Sequence, residues 1–215
     1  MCCFSRPVKV VSRTNIFARA SKDGKQFLAY SMTFEATEEL SMILPLPVPK
    51  ASKDDAVTFL NLNKYSDFFE DLAKGFPQPK EDKSTRGKEL DLSNGPRLKV
   101  IEVGDFVASF VPSIKDFSRL DEQFRLPEGT WDKLPGYKDF GFAVFKLKKG
   151  AIKAHPMAFE FPRANPKKLF FPTVHIHDGK VHERAKFDHS LFCQASVTDS
   201  EFRWVESPQP AEMFM

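Results

Sequence analysis

Four of the five histidines in this chain lie within residues 175–189, and their spacing could bring three of them to one metal ion. Asp178-Gly179 separates two β-prone runs, which predicts a hairpin with a two-residue turn. In that register His175 lies opposite His182. Because side chains alternate along a strand, His177 points to the same face. The sequence therefore predicts a histidine-rich face on one hairpin.

This predicted face, made of His175, His177 and His182, has the composition of a metal site. Neutral imidazole is the commonest side-chain ligand for transition metals, and three imidazoles with an open position are typical of catalytic zinc. Iron or copper fits the same donors, so the expected cofactor is Zn, Fe or Cu. His189 and Cys193 are further candidate ligands, since residues four apart share one side of a strand or helical turn. The alternative is an ordinary polar face on a hairpin whose other face is buried.

An open coordination position would give the metal a catalytic use. A bound ion activates water or dioxygen, so a metal-dependent hydrolase and an oxygenase are both compatible with the pattern. Glu183 is a catalytic candidate beside the hairpin. The cupin family also begins its metal site with His-x-His on a strand. Here Glu183 follows His177 after five residues instead of the family's three or four, so no cupin ligand is assigned.

A different chemistry is indicated at the amino terminus. Met1-Cys2 resembles the start of N-terminal nucleophile hydrolases such as class II glutamine amidotransferases, although Cys3 stands where those enzymes have glycine. The resemblance implies that Cys2, after removal of Met1, would be a nucleophile with its own amine as base. An N-terminal cysteine hydrolase is therefore a third functional hypothesis.

Charge and hydropathy exclude several classes of protein. The 32 basic and 29 acidic residues give a net charge of +3, too balanced to indicate nucleic-acid binding. No apolar run is long enough to span a membrane and no secretory signal is evident, so we expect a soluble, cytoplasmic protein. The three Cys do not predict a disulfide framework. A small-molecule ligand is compatible with this composition, and the oligomeric state is left open.

Short, alternating apolar runs dominate the chain and predict antiparallel strands. Its 23 Phe carry large apolar area without a polar group, so most of the rings are expected inside. Two short helices are predicted, one after Asp67 and one over the apolar stripe of residues 114–124. The expected fold class is α+β, mainly antiparallel β, arranged as a sandwich or open barrel.

One globular domain is predicted over residues 1–206, with a charged loop at 77–97 and a loose C-terminal tail at 207–215. The segment 43–49 alternates proline with apolar residues. It predicts either a rigid crossover covering the core or an extended recognition surface. The second possibility gives the alternative function, a non-catalytic binding module whose Phe-rich core is only a scaffold.

Overall fold

The structure of the protein is a computed structural model that describes residues 3–76, 101–103, 106–153, 155–172, 174–182, 189–194 and 204–215. The predicted charged loop and the catalytic candidates Cys2 and Glu183 lie outside these residues. Within them, no helix has the length and apolar character needed to cross a membrane.

The described residues contain one α-helix and eleven strands, most of them joined by short connections. The helix is α1 (Phe68–Lys74). The strands are β1 (Cys3–Phe4), β2 (Val10–Ala20), β3 (Lys25–Ala36), β4 (Leu40–Leu46), β5 (Thr58–Asn61), β6 (Ile101–Val103), β7 (Phe106–Val111), β8 (Gly141–Leu147), β9 (Gly150–Lys153), β10 (Met157–Pro162) and β11 (Ser190–Gln194).

These strands form two sheets. The first has the order β1-β4-β8-β7-β6, and the second has the order β11-β2-β3-β10-β5, with β9 paired to β3 beyond β10. Every pairing is antiparallel except that of β11 with β2. The predicted fold class, a mainly antiparallel two-sheet α+β protein, is confirmed.

Phenylalanine rings fill the space between the sheets. Phe145 of β8 meets Phe159 of β10 with ring centroids 5.8 Å apart, and both side chains are completely buried. Phe59 and Phe106 approach Phe145 edge-on at 5.5 and 6.3 Å. Each buried phenyl contributes about 1.5–3 kcal/mol, and the edge-to-face geometry adds about 0.5–1.5 kcal/mol per pair. Phe is suited to this layer because it has no polar atom to satisfy.

The second predicted helix is instead two 3₁₀ segments, Ile114–Arg119 and Glu122–Phe124, and the prediction of one helix was wrong. Leu120 between them is extended, with φ −92° and ψ 156°. Its carbonyl accepts a hydrogen bond from Nε of Arg125 at 2.7 Å, which replaces the bond that the next helical turn would supply. The buried Phe117 and Phe124 still use the predicted apolar face.

The proline-rich segment covers the core. Strand β4 continues through Pro45, which pairs with Phe142 near the end of the β4–β8 ladder, where one missing N–H is tolerated. Leu44 and Leu46 are completely buried, and Val48 is 3% exposed. Pro47 is half-buried and Pro49 is exposed. The burial of the leucines and the valine fits the predicted crossover over the core, and the recognition surface stays a prediction.

Gly141 at the start of β8 is required by the packing of the ring above it. A Cβ at this position would lie 2.6 Å from Cε2 of Phe110 and 2.9 Å from Cγ2 of Val48. Gly141→Ala should therefore reduce the free energy of unfolding by about 1–3 kcal/mol, measured by urea denaturation.

Gly136→Ala is the matched control for this substitution. A Cβ there meets no atom within 4 Å, so its effect should stay within about 0.5 kcal/mol. Equal losses in the two variants would contradict the steric explanation.

Candidate functional site

Residues 174–182, called the histidine segment below, do not form the predicted hairpin. Their one described bridge is a parallel pairing of Ile176 with Cys3. The Asp178 carboxylate accepts the Lys180 N–H at 3.0 Å, the donor that a two-residue hairpin would offer to the preceding carbonyl. That carbonyl, of His177, instead accepts the Val8 N–H at 2.9 Å. The hairpin prediction was wrong because backbone groups from the amino-terminal part of the chain take the place of a return strand.

The predicted alternation of faces is nevertheless kept over the first four residues. Val174 and Ile176 are 6% and 0% exposed and pack in the apolar cluster on the outer face of the first sheet. His175 and His177 point to the other side, where their ring centroids lie 3.8 Å apart. Phe4 of β1 lies against the His177 ring at 5.2 Å. The structure therefore brings two of the predicted ligands side by side.

His182 is engaged by the turn and is not a cross-strand partner of His175. Its Nε2 lies 3.0 and 2.9 Å from the two carboxylate oxygens of Asp178. The hydrogen bond from His182 lowers the pKa of Asp178, and the Lys180 N–H lowers it further. Asp178 thus combines a turn role with the orientation of one imidazole.

Burial keeps the paired imidazoles neutral. The pKa of His177 falls from the ordinary 6.5 to about 4, mainly because its ring is removed from water, with repulsion from charge on His175 as a further cause. Burial also lowers the pKa of His175, and charge on His182 lowers it further. His189 lies near enough for its charge to lower the pKa of His177. At neutral pH the pair therefore presents uncharged nitrogen donors.

Cys193 lies elsewhere in the second sheet. It is paired with Ala18 across the β11–β2 ladder, four residues beyond His189. Four residues of extended chain place the two α carbons about 13 Å apart, which is too far for both side chains to bind one ion. Cys3 is completely buried, as a structural thiol would be.

Among the described residues, no three His, Cys, Asp or Glu side chains are arranged to hold a metal ion as they stand. The histidine segment offers a pair of imidazoles with His182 beside it. Cys2 and Glu183 stay predictions, because both lie outside the described residues.

A separate cavity beside Cys193 was not indicated by any sequence motif. It has a volume of about 320 Å³ and is open to solvent. Its walls come from the turn after β10, the chain that follows it, β11 and the C-terminal segment. The lining residues are Lys167, Lys168, Leu169, Phe171, Cys193 and Trp204. Because these wall segments are far apart in the sequence, no local sequence pattern predicts the cavity.

The described residues form a mainly antiparallel two-sheet protein in which His175 and His177 lie side by side next to β1. A comparison with protein-family models gives no match for this chain. Among solved structures, the chain is similar to the crystal structure of baculovirus P35, with a TM-score of 0.37 and 17% sequence identity. The matched part covers 73% of this chain and 55% of that chain, so this chain spans little more than half the length of that protein.

The lowered pKa of His177 predicts an acid-dependent loss of stability. Between pH 6.5 and about 4 the unfolded chain binds a proton on this residue that the folded chain does not, so stability falls as the pH is lowered through this range. His177→Gln should flatten the dependence of the thermal unfolding midpoint on pH between 7 and 4.5.

His182→Gln is the matched control, since its side chain is 44% exposed and His182 is not among the groups that shift the pKa of His177. This variant should retain the wild-type slope. A direct NMR titration that places the pKa of His177 near 6.5 would contradict the prediction.

Proposed function

We propose that the protein binds one divalent transition-metal ion at the histidine segment, with His175 and His177 as its first two ligands. The observation that supports this is the 3.8 Å separation of their ring centroids on one face. Rotation of the rings about their side-chain bonds can direct one nitrogen of each to a common ion at about 2.0–2.1 Å. Because both rings are neutral at neutral pH, no proton has to be displaced first.

His182 is the proposed third ligand. Its Nε2 is hydrogen-bonded to the Asp178 carboxylate, which leaves the Nδ1 lone pair as the metal donor. A carboxylate that orients a ligating imidazole is the usual outer support of such sites. The exposed side of His182 gives this residue room to rotate toward the pair, and its charge already acts on His175.

His189 completes the donor set of the proposal or borders it, since its charge acts on His177. Nitrogen donors of this kind suit Zn, Fe or Cu. Three protein ligands would leave a coordination position open for water or dioxygen, so the proposed activity is that of a metal-dependent hydrolase or oxygenase. The pairing of the imidazoles supports metal binding. The proposed reaction class depends in turn on that binding.

The test is a metal titration of chelator-treated protein. Wild-type protein should take up about one equivalent of Zn²⁺ or Cu²⁺, measured by isothermal titration calorimetry and elemental analysis after gel filtration. His175→Ala/His177→Ala should lose this binding. His182→Ala should weaken it by at least tenfold, in line with the loss of one ligand or its support.

Lys180→Ala is the matched control, because Lys180 lies in the same segment and carries no donor in the proposed set. It should bind like wild type. A saturating metal should also raise the unfolding midpoint, since a ligand at about 100 times its Kd stabilises the folded state by about 2.7 kcal/mol. Absence of uptake with Zn²⁺, Cu²⁺ and Fe²⁺ would refute the proposal, as would unchanged uptake by the double variant.

A further inference from the structure

The cavity beside Cys193 has two chemically different kinds of lining residue. The rings of Phe171 and Trp204 line it, with centroids 5.9 Å apart and an angle of 34° between their planes. Lys167 and Lys168 also line it. Among the ion pairs between described residues, none includes Lys167 or Lys168. The cavity therefore combines an aromatic surface with two positive charges.

The aromatic wall is held by a buried amide. Gln26 is completely buried on β3, and its side chain makes two hydrogen bonds to the backbone of Phe170. Its Oε1 accepts the Phe170 N–H at 2.8 Å, and its Nε2 donates to the Phe170 carbonyl at 2.6 Å. These bonds fix the irregular chain on both sides of Phe170, so the lining residues Leu169 and Phe171 have defined positions.

The turn that carries the lysines is also anchored. Nε of Arg163 donates to the Gly24 carbonyl at 3.1 Å, and its NH1 donates to the Lys168 carbonyl at 3.1 Å. The side chain of Asn165 accepts the Lys167 N–H at 3.0 Å. The Arg163 guanidinium adds a third positive charge next to this wall. An anchored positive turn can bind an anion without a large ordering cost.

We propose that this cavity binds a small aromatic anion, with a planar ring against Trp204 and a phosphate or carboxylate at Lys167 and Lys168. Its volume of about 320 Å³ is at the lower end of ligand-binding cavities, which restricts the ligand to a small molecule. Indole is the aromatic side chain best suited to stacking on a flat ring, and lysine binds phosphate or carboxylate as a point charge. The site is distinct from the proposed metal site and does not depend on it.

Trp204 provides the assay. The chain has two tryptophans, so in a Trp131→Phe background the emission of Trp204 reports on this cavity alone. Adenosine 5′-monophosphate and nicotinate are the two probes that carry a ring and a charge. Adenosine and inorganic phosphate supply the ring and the charge separately. At least one of the two aromatic anions should quench Trp204 with an affinity at least tenfold higher than adenosine or phosphate.

Two variants separate the contributions of the walls. Lys167→Met/Lys168→Met should reduce binding of the aromatic anion to the level of the uncharged ring, and should remove its weakening by salt. Lys148→Met/Lys149→Met, another adjacent lysine pair, is the matched control and should bind like the parent protein. For Trp204→Ala, where the fluorescence signal is lost, calorimetry should show weaker binding.

Cys193 gives an independent readout because it lines the same cavity. A saturating aromatic anion should slow alkylation of Cys193 by iodoacetamide at least threefold, followed on its peptide by mass spectrometry. Tighter binding of adenosine 5′-monophosphate identifies phosphate as the preferred group, and tighter binding of nicotinate identifies carboxylate. The absence of quenching and protection with both probes up to about 10 mM would overturn the proposal, as would binding that the Lys167→Met/Lys168→Met variant retains.

Discussion

The backbone N–H groups of Phe4 and Val8 donate to the carbonyls of Ile176 and His177, and the shape of the histidine segment depends on these two bonds. A buried carbonyl needs a donor, and here the donors come from the other end of the chain. The bonds hold Ile176 against the first sheet, so its neighbours His175 and His177 must both point away from it. The paired imidazoles are thus a consequence of how the amino-terminal strand is placed.

The same constraint acts on residues 163–172 and 174–182, whose described backbone belongs to none of the helices or strands and which carry or border both proposed sites. Irregular backbone must find hydrogen bonds outside itself. Gln26 supplies them at Phe170, and Arg163 supplies them at Gly24 and Lys168. Each anchor is a single side chain, so the residues next to it have fixed positions and can still contact a ligand. A binding site requires this combination.

The two sheets supply the rigid support for these anchors. Gln26 lies on β3, in the middle of the second sheet, where Phe161 of β10 is its register partner. Gln26 is completely buried, so its polar atoms have to be hydrogen-bonded within the protein. The two bonds to Phe170 satisfy this requirement. The amide of Gln26 is therefore hydrogen-bonded in the core, and it also anchors the chain that carries Phe171.

Much of the fold was determined by the sequence itself. The alternation of apolar and polar residues and the high content of phenylalanine specify strands with one buried face. The strands around Phe145 and Phe159 and the helix after Asp67 follow from local pattern. Local pattern failed where side chains compete for backbone groups. The Arg125 side chain donates to the carbonyl of Leu120, where the second predicted helix is divided. The Asp178 carboxylate accepts the N–H of Lys180, and the Val8 N–H binds the His177 carbonyl that this N–H would have reached in a hairpin.

For the candidate site, the sequence determined which residues could bind a metal, and alternation alone placed His175 and His177 on one face. Only the tertiary structure decided that His182 turns to Asp178 and that Cys193 lies in a different cavity. It also decided that Lys167, Lys168 and Trp204 share that cavity. The physical reason is that the cavity is built by contacts between residues far apart in the chain, which no local spacing encodes. The turn of His182 toward Asp178 is a local contact, but the backbone that allows it is held by Phe4 and Val8 from the other end of the chain.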